Sequence, residues 1–385
     1  MQKTEAIQCS KCVLDTNDDP SLTFNSNGVC NHCQAYEKAY VLNPLSETQK
    51  QKYLEESLEI IKSAKGKYQA ILGLSGGVDS SYLAYLAKEW NIRVLLVHFD
   101  NGWNSELAVD NINRIVDYTG FDLYTHVVDW EEFKDLQLSY IKSSVLDWEV
   151  PTDHLIKATL FNLAKSKGIK SILSGTNHQT EFILPHSMRY NKADTDNIND
   201  IHQKFGTKPL KTTKLLSPLK EYLETKKHNI QFHPLLDFVY YNKDNAKETI
   251  IEKMGWRDYG GKHYESIFTR FYQGYVLPTK FGVDKRKAHL ASLINSGQIS
   301  KQEAIKELEK PSYPSKEMLE NDFEFVAKKF DLTNEELNAY INEKPIPHSH
   351  YKQYNTKNLK RFKKLEIYLN PNLYINYLKK KLKTQ

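Results

Sequence analysis

Apolar residues recur along this chain in two rhythms, short continuous runs and stripes at helical spacing. Ala70-Ile71-Leu72-Gly73-Leu74 is a continuous run and predicts a buried strand; Tyr82, Leu83, Leu86, Ala87 and Trp90 predict a helix packed on a sheet. Arg93 to Asp100 gives a second strand whose apolar continuity suggests burial on both faces. A helix from about Ser105 to Tyr118 leads to a third strand, Tyr124 to Val128. An aromatic and acidic passage containing Trp130, Trp148 and Asp153 follows, and Asp153 opens a helical pattern through Leu155, Ile156, Leu160 and Leu163 that Gly168 stops. Ile169 to Leu173 is the fourth strand. Repeated strand–helix units imply right-handed crossovers and an α/β fold with a doubly wound parallel sheet.

Outside these units the pattern changes. Glu47 to Lys65 predicts a charged amphipathic helix with Tyr53, Leu54, Leu58, Ile60 and Ile61 on its apolar side. Residues 190–214 are polar and aperiodic, as expected of a loop or lid, and order returns at Leu215–Leu219 and Phe232–Tyr241. From Gln298 onward the chain is charged helix, and the tail from Lys352 to Lys383 is basic with Tyr and Leu interleaved. Such a tail contacts RNA or an acidic partner, or is the wet face of helices; the second account is the plainer one. The expected division is a ribbon at 1–45, a nucleotide domain at 46–245 and a mostly helical region at 246–385 that completes the substrate site.

Composition narrows the class. Of 385 residues, 40% are hydrophobic and 26% charged, as in an ordinary soluble protein, and a net charge of +5 does not by itself argue for nucleic acid. No apolar run approaches the ~20 residues of a membrane span, and the first residues lack the apolar core of a signal peptide, so a cytoplasmic protein is expected.

All four cysteines lie near the start, as Cys9-x-x-Cys12 and Cys30-x-x-Cys33. This spacing matches a four-thiolate zinc ribbon, with Asn25-Ser26-Asn27-Gly28 as the turn between the knuckles. Two disulfides are disfavoured in the cytosol, and an iron–sulfur cluster is the weaker alternative to Zn²⁺. His32 is expected to be a bystander. If all four thiols hold metal, none remains as a nucleophile, persulfide carrier or glutaminase, and any amine must arrive as ammonia.

The stretch with the most chemistry is Ser75-Gly76-Gly77-Val78-Asp79-Ser80, between the first strand and its helix. Backbone N–H groups and the positive end of a helix meet an anion there, and two glycines let the main chain approach closely. Ser75, Ser80 and Ser81 add hydroxyls, and Asp79 holds Mg²⁺ or orients the turn. No Lys follows the last Gly, which excludes the Walker pattern, and the dinucleotide G-x-G-x-x-G is also absent. Asp100 ends the second strand and Gly175-Thr176-Asn177 the fourth, with Glu181 close behind; both strand ends face the ligand edge of an open sheet. Further on, Tyr259-Gly260-Gly261-Lys262-His263-Tyr264-Glu265-Ser266 and Lys280-Phe281-Gly282-Val283-Asp284-Lys285-Arg286-Lys287 set cations beside aromatics and glycines. Lys280, Lys285 and Arg286 suit a leaving pyrophosphate, while His263 and Glu265 suit proton transfer when an amine attacks. Lys287 is expected to be solvated.

SGGVDS resembles the PP-loop of the N-type ATP pyrophosphatases. Together with the paired CxxC and the passage from YGGKHYES to FGVDKR it resembles the N-acetyl sugar amidotransferase family, over Cys9 to about Pro311. The resemblance implies a sheet of PP-loop ATP pyrophosphatase (adenine nucleotide alpha-hydrolase-like) type. It implies ATP and Mg²⁺ at Ser75, Gly76, Gly77, Asp79, Ser80, Ser81, Asp100, Gly175, Thr176 and Lys280. Adenylation of an acetamido oxygen on a nucleotide-linked N-acetylated sugar, then displacement of AMP by ammonia, would give an acetamidino sugar for lipopolysaccharide or a flagellar glycan. The ammonia would come from a separate glutaminase working with a cyclase-like barrel protein. The alternative is a tRNA-modifying PP-loop enzyme of the thiolase or lysidine-synthetase kind; a catalytically dead zinc-ribbon interaction protein is a third possibility.

Overall fold

In the computed structural model, which describes residues 6–42, 44–261 and 264–361, the apolar runs pair into one parallel sheet. Its strands are β1 (Ala70–Gly73), β2 (Val94–Asp100), β3 (Asp122–Val127), β4 (Ser171–Leu173) and β5 (Gln231–His233), in the spatial order β3-β2-β1-β4-β5. Ile71 lies between Leu95 and Ile172, so the middle of the sheet is apolar across three strands. The chain builds outward from β1 to β3, then crosses back to place β4 on the other side of β1. That reversal opens a crevice at the carboxyl ends of β1 and β4, where open α/β sheets bind ligands.

Helices cover both faces. On one, α1 (Glu47–Lys62), α2 (Val78–Glu89) and α3 (Glu106–Thr119) bring Leu54, Leu83 and Ile112 onto Leu72 and Leu96. On the other, Ala158 and Phe161 of a long helix pack against Ile71, Leu95 and Val97. That helix is α5 (Val150–Lys167), preceded by α4 (Trp130–Lys142). Gly168 ends α5 at φ +67°, the left-handed backbone that makes glycine the natural stop there.

Two expectations need correcting. The aromatic and acidic passage contains α4, whose buried side carries Glu132, Asp135 and Gln137 beside Phe133, Leu136 and Tyr140. These polar groups blur the apolar stripe that would have revealed the helix. The expected loop at 190–214 contains α6 (Thr195–Phe205), capped by Asp194, with Ile198 and Ile201 buried. Its polar sequence is satisfied internally: the Asn197 amide donates to the carbonyls of His348 (3.2 Å) and Lys352 (3.0 Å). The following segment is tied down by α4, since Glu132 accepts backbone N–H bonds from Lys211, Thr212 and Thr213. Burial would raise the Glu132 carboxyl, but those donors win and hold it at about 2.

The remaining chain is helical: α7 (Lys243–Met254), α8 (Arg286–Asn295) and α9 (Lys301–Glu309) precede two further helices, Lys316–Lys329 and Asn334–Asn342. A widened helical stretch, Tyr272–Phe281, joins a second core in which Phe268, Phe271 and Phe330 gather with Trp103. Most of the basic tail lies outside the described residues, and among those described no helix is long and apolar enough to cross a membrane.

Candidate nucleotide site and metal centre

The loop after β1 enters α2 through two glycines whose geometry is imposed from outside. Gly76 has φ +84°, and a Cβ there would stand 2.8 Å from the Tyr259 hydroxyl and 3.2 Å from the Ala108 carbonyl. Gly77 is the N-cap of α2 and has no side chain to satisfy the first N–H groups. The leading N–H groups of a helix lack carbonyls one turn back, so those of Val78, Asp79 and Ser80 form an anion seat. Ser75 supports the turn by accepting from Gly77 N (3.2 Å), and its hydroxyl lies 3.4 Å from that of Ser80.

The walls come from far along the chain. Trp256 Nε1 (2.8 Å) and the Tyr259 hydroxyl (3.0 Å) both donate to the Gly76 carbonyl. Asp79 Oδ1 accepts from the buried Tyr241 hydroxyl and from the Asn177 amide (3.3 Å). Burial and the Asp79 charge push the Tyr241 phenol far up, so it stays a donor. Of the two roles considered for Asp79, orienting the turn is the one these contacts display. Gly175 lies against the same corner, where a Cβ would be 3.3 Å from Ser80 N. Glu265 is held by its own carbonyl, which accepts from Ser105 N (2.9 Å), and its Oε1 would be 3.3 Å from a Cβ on Gly77. Thus Ser75, Gly76, Gly77, Asp79, Ser80, Gly175 and Glu265 meet at one corner, with Thr176 bonded to Ser174 at 2.8 Å on its rim.

Asp100 connects to this corner by relay. It accepts from Gly102 N (3.0 Å) and the Asn104 amide (3.3 Å), and the same amide donates to His98 Nε2 (3.1 Å). His98 therefore carries its proton on Nδ1 and donates to the Leu74 carbonyl (3.2 Å). Other expected residues are engaged elsewhere. Ser81 is fully buried, and its hydroxyl donates to the Gly77 carbonyl (2.7 Å) within the first turn of α2. Lys280 donates to the carbonyls of Tyr340 (2.6 Å) and Glu343 (2.7 Å), where burial lowers its ammonium to about 8. Arg286 is forked onto Asp284 (2.7 Å) and the Lys310 carbonyl (2.9 Å), an anchor for the turn after α9. Lys285 faces Glu149 at 3.4 Å. His263, with Lys262, lies outside the described residues.

Sequence reasoning missed Tyr241, Trp256, His98 and Asn104. Each is a single residue with no motif of its own, and only folding carries it to the loop.

At the other end of the chain, the four cysteine sulfurs are buried, unpaired as disulfides, and all within 4.8 Å of one another. A tetrahedral zinc site with Zn–S of about 2.3 Å requires sulfurs about 3.8 Å apart, which suits this quartet. Backbone N–H groups of Cys12 (3.4 Å) and Cys30 (3.2 Å) point at Cys9 Sγ, and the Asn295 amide donates to Cys33 Sγ (3.1 Å), the donors a thiolate wants. His32 is a bystander, bonded to Asp19 (2.9 Å). Lys287 is not solvated: it bridges Asp15 and Asp18 at 2.9 Å each and fastens the ribbon to α8. The ribbon also reaches the nucleotide edge, where Tyr40 stacks on His178 with ring centroids 4.0 Å apart.

Residues 61–177 match the asparagine synthase family, and residues 265–366 match the C-terminal domain of LPS biosynthesis protein WbpG-like sequences. The uncharacterized protein MJ1599 of Methanocaldococcus jannaschii is 26% identical over 319 residues, covering 80% of this chain and 95% of that protein. The tRNA-specific 2-thiouridylase MnmA 2 of Clostridium botulinum is 26% identical over 211 residues, 51% of this chain and 58% of the relative. Among solved structures, the NH3-dependent NAD synthetase from Campylobacter jejuni covers 54% of this chain and 84% of its own, with 15% identity and a TM-score of 0.30. The region that carries the loop after β1 is thus similar to the asparagine synthase family, and the region from Glu265 onward to the C-terminal domain of WbpG-like LPS biosynthesis proteins.

Proposed function

We propose that the chain is an ATP-dependent, AMP-forming amidotransferase acting on an N-acetylated, nucleotide-linked sugar. The observation that carries this reading is that the loop after β1 is closed by Tyr259 and by Glu265, the second of which is the first residue of the region matched to LPS biosynthesis proteins. Nucleotide and acceptor chemistry then meet at one corner. The acetamido oxygen attacks the α-phosphorus of ATP, the bond to the bridging oxygen breaks, and pyrophosphate leaves. Ammonia adds to the activated carbon, AMP departs with the original oxygen, and an acetamidino group remains. The N–H groups at the start of α2 bind the departing phosphates, whose charge Mg²⁺ carried in with the nucleotide would help neutralise. Glu265 takes the proton that the attacking nitrogen sheds, with His263 as the second candidate, and Lys285 faces the acceptor. Zn²⁺ at Cys9, Cys12, Cys30 and Cys33 is structural.

All four cysteines sit in the ribbon, which supports a separate glutaminase with its barrel partner as the ammonia source, in the cytoplasm. The division into 1–45, 46–245 and 246–385 belongs to the same proposal. Purified protein incubated with ATP, Mg²⁺, ammonium and a panel of N-acetylated nucleotide sugars should yield AMP, pyrophosphate and a sugar lighter by about one mass unit, from exchange of O for NH. ADP and phosphate would overturn the reading. The similarity to tRNA 2-thiouridylases favours a second reading, adenylation of a tRNA base. Salt-sensitive tRNA binding with no sugar turnover would select it.

A further inference from the structure

We propose that a charged pocket at the amino end of α5, built on Glu149, Asp153, Lys192 and Lys285, binds hydroxyl groups of the acceptor. The inference rests on the sugar-directed reading above and assigns the residues that select the acceptor.

The pocket lies on the ligand edge of the sheet. Asn101, just past β2, donates to Thr152 in the first turn of α5 (3.4 Å), and Leu160 further along that helix touches β1, 3.0 Å from where a Cβ on Gly73 would stand. The starts of α5 and α2 therefore lie on opposite faces of β1 at the same edge. Lys192 Nζ bridges Asp147 (2.6 Å) and Asp153 (3.1 Å). Glu149 Oε2 accepts from Gln273 (2.8 Å) and faces Lys285 (3.4 Å). Three separate stretches converge, and Gln273 and Lys285 come from the WbpG-like domain.

The side chains of Asp147 and Glu149 are 4% and 8% exposed, whereas that of Asp153 is 49% exposed. Even so, burial is the main influence raising the Asp153 carboxyl, with Glu149 and Asp147 adding to it and Lys192 and Lys285 opposing. Asp153 stands at the wetted edge of a recess whose inner wall is made by Asp147 and Glu149. Lys192 and Lys285 are themselves 28% and 24% exposed, so groups of both signs reach a polar occupant there.

Its class follows from the charges. Asp147, Glu149 and Asp153 exceed Lys192 and Lys285 by one negative charge, which disfavours a phosphate. Hydroxyls donate to carboxylates and accept from ammonium groups, so a neutral polyol satisfies both kinds of wall at once.

The test uses the full-length, metal-loaded protein with ATP, ammonium and the N-acetylated nucleotide sugar it turns over best. Asp153→Asn keeps shape and removes charge; Lys285→Gln does the same from the other wall and serves should the first misfold. Each is expected to raise the KM for the sugar roughly 10- to 100-fold, the loss of one charge-assisted hydrogen bond, with a smaller change in kcat. Nucleotide affinity and the KM for ammonium should stay near wild type. A sugar KM within twofold of wild type in both variants overturns the proposal, as does a rise confined to ammonium. A wild-type protein silent on every sugar sinks the functional reading and this inference with it.

Discussion

The ribbon and the nucleotide crevice are both held by a few polar atoms, but they recruit them differently. The ribbon takes its four sulfurs from residues 9–33, so local spacing alone brings them together. The crevice takes a loop at 75–80 and closes it with Asn177, Tyr241, Trp256, Tyr259 and Glu265, residues from four later stretches of the chain. The first is a motif that carries its own geometry; the second is a motif whose geometry is supplied by its surroundings. The two meet through α8, where Lys287 and Asn295 grip the ribbon, and directly where Tyr40 stacks on His178.

The comparison breaks most visibly at the loop. Gly76→Ala or Asp79→Ala should cut AMP formation by at least about two orders of magnitude, the scale of a lost preorganised anion site, while leaving zinc content unchanged. Full activity in either variant would detach the loop from the chemistry. At the other region, metal analysis should find about one zinc per chain, and chelation should unfold the ribbon, since structural zinc contributes on the order of 10 kcal/mol. Nucleotide binding measured on the chelated protein should survive if the crevice is built independently. Iron with labile sulfide would overturn the zinc assignment.

Smaller effects sharpen the contrast. Glu132 holds the segment after α6, and its carboxyl sits near 2 instead of the usual 4.5. A depressed carboxyl stabilises above its unfolded value and loses that contribution as pH falls from about 4.5 toward 2, here about 3 kcal/mol. Glu132→Gln should flatten that part of a stability-against-pH curve; an unchanged acid limb would show that the 211–213 backbone is held by something else. Lys287→Ala leaves the buried Asp18 beside Asp15 without this cation and should cost about 1–3 kcal/mol in a thermal melt. Trp256→Phe removes one donor to the Gly76 carbonyl and should cost about 1 kcal/mol, read as a several-fold weaker ATP affinity.

The sheet was legible because continuous apolar runs such as Ala70–Leu74 can be little else than strands buried on both faces. The loop was legible because two adjacent glycines between a strand and a helix have a narrow set of uses. α4 and α6 were not, since Glu132, Asp135, Asn197 and Asp200 occupy buried positions that a hydrophobic pattern reads as surface. Their burial is tolerable only because backbone N–H groups and carbonyls from distant segments meet them. Arg286 and Lys280 show the converse: a cation in a suggestive stretch is drawn to whichever carbonyls or carboxylate the fold sets nearby.

By itself, then, the sequence determined the four-thiolate cluster, the strand–loop–helix that seats an anion, and the alternation that makes a parallel sheet. These depend on spacing and backbone freedom, which are local properties. Only the tertiary structure decided that Tyr241 and Asn177 hold Asp79, that Lys287 clasps the ribbon, and that Lys285 faces Glu149. Partners separated by tens to hundreds of residues are chosen by packing, because a side chain pairs with what the folded chain places within reach.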